Sequence, residues 1–440
     1  MNSRTKSLVS IALTVVVMAG GSTLLSKSAL AEDMSSWVAT WQASPQPVWG
    51  TDFLFPTNLP VSLHDQTVRQ IARISVGGKR FRIVLSNTYG QQPIIIGKAT
   101  IARPQQDGAM SVDGLQMVTF SGKAGVTIAA GASVISDPVP LTLPALAQMA
   151  VSIYLPNQTP ISTFHWDGRQ TGWIVAGDQT ASSTFKGVDV MTSTTARPLL
   201  TDIQVEIAQS TPLVVVMGDS ITDGATASLD QDKRWPDYLA KRLVPHGVAV
   251  VNAGISGGRL LSDGMGMNAL ARLDRDVLAQ PGVSSMIIML GINDISWPGT
   301  AFAKTSKKPT LEALTAGYSQ LVAQAHIRGV RVIAATLTPF KGALPKTPLD
   351  NYYQQDKENL RQQVNDWIRH SGVFDAVIDF DAVIRDPQKP TQIAARFDSG
   401  DHLHLGDVGN HAMAEAVDLH AVLPELKAVQ NKFPKVLTEH

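Results

Sequence analysis

The sequence predicts an α/β protein in two parts. A β-sandwich or jelly-roll-like domain is expected over residues 32–210, and a three-layer domain with a parallel sheet over residues 211–440. Three observations carry this. At 440 residues the chain exceeds what one ordinary core organises. Its first half alternates apolar and polar residues with period two and shows no long helical pattern. In its second half, short β-branched runs alternate with helical stripes, as in strands joined by crossover helices.

Residues 1–31 read as a signal peptide. Arg4 and Lys6 make a basic start, Leu8 to Gly21 is mostly apolar and uncharged, and Ala29-Leu30-Ala31 is a small-x-small cleavage site. The apolar stretch is short for a membrane span, and Lys27 places a charge soon after it. Export to a bacterial periplasm or the outside medium is therefore expected, with no stable membrane anchor after cleavage. There is no cysteine, which removes disulfides, thiolate chemistry and cysteine-ligated metals. Lys and Arg together number 37, and so do Asp and Glu. That balance leaves no electrostatic reason for a nucleic-acid or anionic-membrane partner.

The first-half elements are read from alternation. Val68, Ala72, Ile74 and Val76 fall at even spacing. Arg80 to Leu85 (RFRIVL) puts Phe81, Ile83 and Leu85 on one face, and Gln148 to Leu155 (QMAVSIYL) does the same with Met149, Val151, Ile153 and Leu155. Turn signals separate such runs at Gly77-Gly78, Asn87 with Gly90, Asp113-Gly114 and Pro156-Asn157. Trp37, Trp41 and Trp49 lie early, and Phe164, His165, Trp166 and Trp173 late. Aromatic faces of this kind can stack on sugar rings. Core and interface packing is the default for side chains that bury so much area, and His165 is expected to be a hydrogen-bonded structural residue.

In the second half, the runs Leu213–Met217, Val248–Asn252, Ser285–Leu290, Val330–Leu337 and Phe374–Phe380 predict five parallel strands. Pro236 suits the first turn of a helix carrying Trp235, Tyr238, Leu239 and Leu243. The spacing predicts further helices over Leu311–Arg328, stopped by Gly329, over Gln355–His370, with Gly372 just beyond, and over Asn410–His420. Open α/β sheets bind ligands at the carboxyl ends of their strands. There the sequence places Gly218-Asp219-Ser220, then Asn252 to Gly258 with Gly254, then Gly291-Ile292-Asn293-Asp294. Near the end stand Asp401 and His404, three apart in a turn-like stretch.

Those residue types suit ester hydrolysis. A serine hydroxyl needs a base to take its proton. A histidine can take it and return it to the leaving alcohol, and a carboxylate holds the imidazole in one tautomer. The Ser220 N–H, the Gly254 N–H and the Asn293 amide would donate to the tetrahedral oxyanion. His402 lies two residues from His404, with Asp398 and Asp407 nearby. Periodicity alone does not choose among them.

These four stretches resemble the blocks of the SGNH hydrolases, also called the GDSL esterase/lipase family. GDSI at Gly218–Ile221 is similar to the nucleophile block, Gly254 to the glycine block, Gly291-x-Asn293-Asp294 to GxND, and Asp401-x-x-His404 to DxxH. The resemblance implies Ser220 as nucleophile, His404 as base and Asp401 as its orienting acid, with Ser220, Gly254 and Asn293 as the oxyanion hole. It also implies a flavodoxin-like domain, no cofactor and no metal. Trp37–Ser44, the RIVLSN stretch ending at Asn87, Asn293–Gly299 and Thr336–Phe340 resemble a secreted bacterial subset with a β-rich N-terminal region. The expected protein is a secreted serine esterase removing short acyl groups, acetyl first, from a small-molecule or polysaccharide ester. A lipase or lysophospholipase of the same fold and a non-catalytic glycan-binding protein are the competing readings. Trp297 to Lys308 and Phe340 to Tyr353 are expected to line the pocket, since binding residues concentrate on loops.

Overall fold

Alternation in the strand Gly78–Ser86 buries Phe81, Ile83 and Leu85 completely and turns Arg80 and Arg82 to the other side. The computed structural model describes residues 36–106, 108–188 and 191–424; the expected signal peptide lies outside them. Gly78–Ser86 sits within an antiparallel sheet ordered Ser36–Gln42, Leu200–Ile207, Gly78–Ser86, Ser133–Ile135, with Val139–Leu143 also pairing onto it. A second antiparallel sheet runs Met191–Thr194, Gly172–Ala176, Gln66–Arg73, Gln148–Leu155, Lys98–Gln105, Gly108–Val118. Met149, Val151, Ile153 and Leu155 share one apolar cluster with Phe81, Ile83 and Leu85. On the second sheet's other face, Ile71, Ala102, Ala109, Val112 and Ala150 form a smaller cluster. The strand containing Val68 ends at Arg73, so Ile74 and Val76 are buried beyond it rather than along it. The chain turns away there, with the Ser75 N–H donating to the Thr40 carbonyl at 2.7 Å.

In the second half, five strands form one parallel sheet: β1 (Leu213–Gly218), β2 (Ala249–Gly254), β3 (Val283–Met289), β4 (Arg331–Ala335) and β5 (Ala376–Ile378). Their order in space is 2-1-3-4-5, that of a flavodoxin-like doubly wound sheet. Every residue of β1 is buried, so both faces of the sheet are covered. The helices used below are α1 (Ser220–Asp223), α2 (Trp235–Leu243), α3 (Ile292–Ser296), α4 (Leu311–Ile327), α5 (Gln355–His370) and α6 (Asp407–Glu415). α2 packs on β2 and α6, while α4 packs on β4 and α5. α6 begins three residues before the expected start at Asn410, and Asn410 spends its side chain on the Trp235 N–H and the Leu405 carbonyl. The helix stops at Glu415 because Asp418 caps a separate short turn, Leu419–Val422.

The two halves pack along β2, an edge strand of the parallel sheet. Ser36–Gln42 lies beside it, and the Val250 N–H donates to Ser75 Oγ at 3.2 Å. Gln42 Nε2 donates to the Asp276 carbonyl at 2.9 Å. One contiguous apolar cluster draws residues from both halves. Among the described residues, no helix is long and apolar enough to cross a membrane.

Candidate active site

The apolar run of β1 delivers Asp219 and Ser220 to the carboxyl edge of the sheet. Asp219 is extended and caps α1, its Oδ1 accepting the Ile221 N–H at 3.0 Å. Gly224, at φ 104°, ends this single turn. Ser220 is therefore the first residue of a tightly held helical turn. A Cβ on Gly218 would lie 2.1 Å from Thr222 Oγ1, so only glycine lets the turn fold back this closely.

Ser220 Oγ lies 2.8 Å from His404 Nε2, and His404 Nδ1 lies 2.6 Å from Asp401 Oδ2. The other Asp401 oxygen accepts the N–H groups of His404 and Leu403 at 2.8 and 3.0 Å. Burial would raise the Asp401 carboxyl. The hydrogen bond and charge of the His404 ring, with the two backbone N–H groups, outweigh burial and hold it well below the usual carboxylate range. An ionised Asp401 keeps a proton on Nδ1 and leaves Nε2 as the acceptor facing the Ser220 hydroxyl. Such an arrangement can move a proton from Ser220 Oγ to His404. His402, at φ 62°, pairs instead with Asp398 and is half exposed. Asp407 binds the Ser228 N–H and hydroxyl and Lys233.

Asn293 lies in α3, just past the end of β3, and is buried. Its Oδ1 accepts the Tyr352 hydroxyl at 2.7 Å and its Nδ2 donates to the Gly258 carbonyl at 3.0 Å. One amide hydrogen remains for a ligand. Burial pushes the neighbouring Asp294 carboxyl up to about 6, and its two oxygens accept the Leu260 and Leu261 N–H groups at 2.7 and 2.9 Å. Asp294 thus organises the loop after β2.

Gly254 does not take the place expected of it. Its N–H donates to Asn252 Oδ1 at 2.8 Å, while Asn252 Nδ2 holds the Thr222 carbonyl at 2.8 Å. A Cβ on Gly254 would meet the Asp223 nitrogen at 2.5 Å. This glycine lets α1 sit against β2, and its N–H is already spent. Three residues on, Gly257 has φ 70°, and its N–H has no acceptor among the described residues. Gly258 crosses the end of β1, where a Cβ would lie 3.2 Å from the Gly218 carbonyl. Gly257 is the residue that sequence reasoning passed over, and Tyr352 was included only within the Phe340 to Tyr353 loop, with no role of its own. The Gly257-Gly258 pair was the available signal for the first, whereas nothing local marks Tyr352.

Residues of the two loops expected to line a pocket pack together. Trp297, Phe340 and Tyr352 cluster with Met265, Ile292 and Leu403, next to Asn293 and His404. Trp49, Phe53, Phe55 and Trp166 pack against this cluster, Phe55 stacking on Trp166 at 5.4 Å and Phe53 on Phe302 at 5.5 Å. Trp41 is core. A cavity of about 1080 Å³ lies between residues 48–61 and 192–195, and neither Ser220, Asn293 nor His404 lines it. His165 is buried, with both ring nitrogens hydrogen-bonded. No group of three or more His, Asp or Glu among the described residues is placed to hold a metal ion.

Residues 214–417 match the family model described as GDSL-like lipase/acylhydrolase. No curated protein matches the chain. Among solved structures, a GDSL-like lipase from Bacteroides thetaiotaomicron is 16% identical, covering 50% of this chain and 89% of its own, at a TM-score of 0.35. A catalytic mutant of an acetylxylan esterase from Geobacillus stearothermophilus is 22% identical, covering 47% of this chain and 92% of its own, at a TM-score of 0.34.

Proposed function

We propose that this protein, whose residues 214–417 match the GDSL-like lipase/acylhydrolase family model, is a carboxylic ester hydrolase, an exported serine esterase for short acyl esters, acetyl first. The observation that carries the catalytic reading is the 2.8 Å approach of Ser220 Oγ to His404 Nε2, with Asp401 at 2.6 Å behind the ring. Ser220 Oγ attacks the acyl carbonyl carbon as its proton passes to His404 Nε2. The carbonyl oxygen becomes the oxyanion, facing the Ser220 N–H, the free Asn293 amide hydrogen and the Gly257 N–H. Collapse of the tetrahedral species expels the alcohol, which takes the proton from His404. Water then attacks the acyl-serine and gives a proton to His404, and as the Oγ–acyl bond breaks the acid leaves and Ser220 Oγ takes that proton back from His404. Asp401 stabilises the imidazolium in both halves of the cycle. The packing of Met265 and Trp297 against Gly257, and of Tyr352 against Asn293, supports a short acyl group.

The test is hydrolysis of p-nitrophenyl esters from acetyl to palmitoyl by wild type and Ser220→Ala. The expected result is fastest turnover of acetate and a loss of at least about a thousandfold in the variant. Preference for palmitate would replace the reading with a lipase, and equal rates in both proteins would refute the serine mechanism. N-terminal sequencing of the exported protein tests the cleavage after Ala31, expecting Glu32 first.

A further inference from the structure

His165 belongs to the half of the chain that precedes the family match, yet its ring reaches the far side of the catalytic turn. It is 4% exposed. Nδ1 lies 3.0 Å from the Ser44 carbonyl, and Nε2 lies 2.9 Å from Asp223 Oδ1. Asp223 is the last residue of α1, three after Ser220. Its other oxygen accepts both the N–H and the hydroxyl of Ser256, at 2.9 and 2.8 Å. Ser256 immediately precedes Gly257. A buried chain of hydrogen bonds therefore runs from Ser44 through His165 and Asp223 to the loop that carries the Gly257 N–H.

Two further features tie that chain to the chemistry. Burial alone would raise the Asp223 carboxyl, but the charge and hydrogen bond of His165, the Ser256 hydroxyl and the Arg234 charge hold it below its ordinary range. As a carboxylate it accepts all three hydrogen bonds at once. Arg272, fully buried, donates to the Ser44 hydroxyl at 3.4 Å, to the Ala253 carbonyl at 2.7 Å and to the Gly218 carbonyl at 3.2 Å. Residue 44 and its neighbours are thus anchored to the ends of β1 and β2.

We propose that His165 is a positioning residue for ester hydrolysis: through Asp223 and Ser256 it holds the Gly257 loop where its N–H meets the developing oxyanion, so the N-terminal half completes the active site. This rests on the serine-esterase reading above. The physical need is clear. A glycine at φ 70° has many alternative conformations open to it. Its N–H stabilises charge only if held in place before the reaction, and a displacement of about 1 Å costs on the order of a hundredfold. Ser256 directly precedes Gly257 and is clamped without occupying the donor itself.

The full chain carrying Ser256→Ala, Ser256→Thr, His165→Gln or the pair His165→Gln/Ser256→Ala is assayed on p-nitrophenyl acetate, with thermal melting to confirm folding. Affinity for phenylboronic acid, which forms a tetrahedral adduct on Ser220, is measured alongside. Ser256→Ala and His165→Gln should each lower kcat about tenfold with KM within about twofold. Boronate affinity should fall in parallel, and Ser256→Thr should recover most of the loss. The double variant should be no worse than the poorer single variant within about twofold, because both act through one chain. Wild-type kcat in folded Ser256→Ala, effects that multiply in the double variant, or a rise in KM alone would each overturn the proposal. If His165→Gln does not fold, the two Ser256 variants decide it. Equal turnover by wild type and Ser220→Ala would bring down the esterase reading and this proposal with it. A dead Ser220→Ala beside an unaffected Ser256→Ala brings down only the positioning role.

Discussion

At the scale of single residues, the site depends on which polar atoms are already spent. Asn293 offers one hydrogen because its oxygen and its other hydrogen are committed to Tyr352 and Gly258. Asn293→Ala should lower kcat by about 10²–10³ with a smaller change in KM, since the oxyanion exists only beyond the ground state. Tyr352→Phe leaves Asn293 Oδ1 unpaired and frees the amide to rotate. A kcat loss of about tenfold, with KM little changed, is expected from steady-state assays. The types of Ser220, Asn293, Asp401 and His404 were legible because each comes after a recognisable strand or fills a short fixed spacing. The fate of Gly254 was not. Whether a backbone N–H is free depends on what its neighbours accept, and Asn252 takes this one.

At the scale of elements, the loop from Ile255 to Leu261 is held from three sides: by Asp223 on α1, by Asn293 and Asp294 on α3, and by Met265 and Trp297 against Gly257. Gly257→Ala would place a Cβ 2.7 Å from Met265 Sδ and 2.8 Å from Trp297 Cζ2, at a φ that disfavours any side chain. The loop must shift, and kcat for p-nitrophenyl acetate should fall by about a hundredfold. Strands and long helices were readable from periodicity nearly to their ends, Gln355–His370 without any shift. The errors fall where polar side chains intervene, at Ser75 beyond one strand and at Asn410 and Asp418 around α6. Such residues act through tertiary partners, which local pattern does not contain.

At the scale of the molecule, the first half covers an edge of the parallel sheet. Ser75 satisfies the Val250 N–H, and Val38 and Trp41 join the same core as β1 and β2. Full-length protein should therefore unfold in one transition by near- and far-ultraviolet circular dichroism, and a fragment of residues 211–440 should aggregate through its uncovered edge. Two separated transitions would contradict this. Stability should also depend on Asp202, which is buried with Oδ1 unpartnered among the described residues. Burial pushes its carboxyl up to about 8, against the opposing pull of Gln204 and Arg82. The folded chain then holds a proton that the unfolded chain, with an ordinary carboxyl near about 4, releases earlier. Folding stability must fall as pH rises from about 4 to about 8. Asp202→Asn should flatten that slope in urea titrations and be the more stable protein at pH 9 by roughly 1–3 kcal/mol.

By itself the sequence showed period-two strands giving way to alternating strands and helices, the five parallel strands, and Ser220 and Asn293 just past the ends of two of them. Hydrophobic period and residue type are local properties, and they survive in a linear string. Only the tertiary structure decided that His404 rather than His402 reaches Ser220, that Gly254 is occupied while Gly257 is open, and that Tyr352 and His165 stand behind the site. The contacts of Asp223 with His165, of Asn293 with Tyr352 and of Ser220 with His404 join residues 58 to 184 apart in the chain. A hydrogen bond is settled by a few tenths of an ångström, which no local pattern specifies.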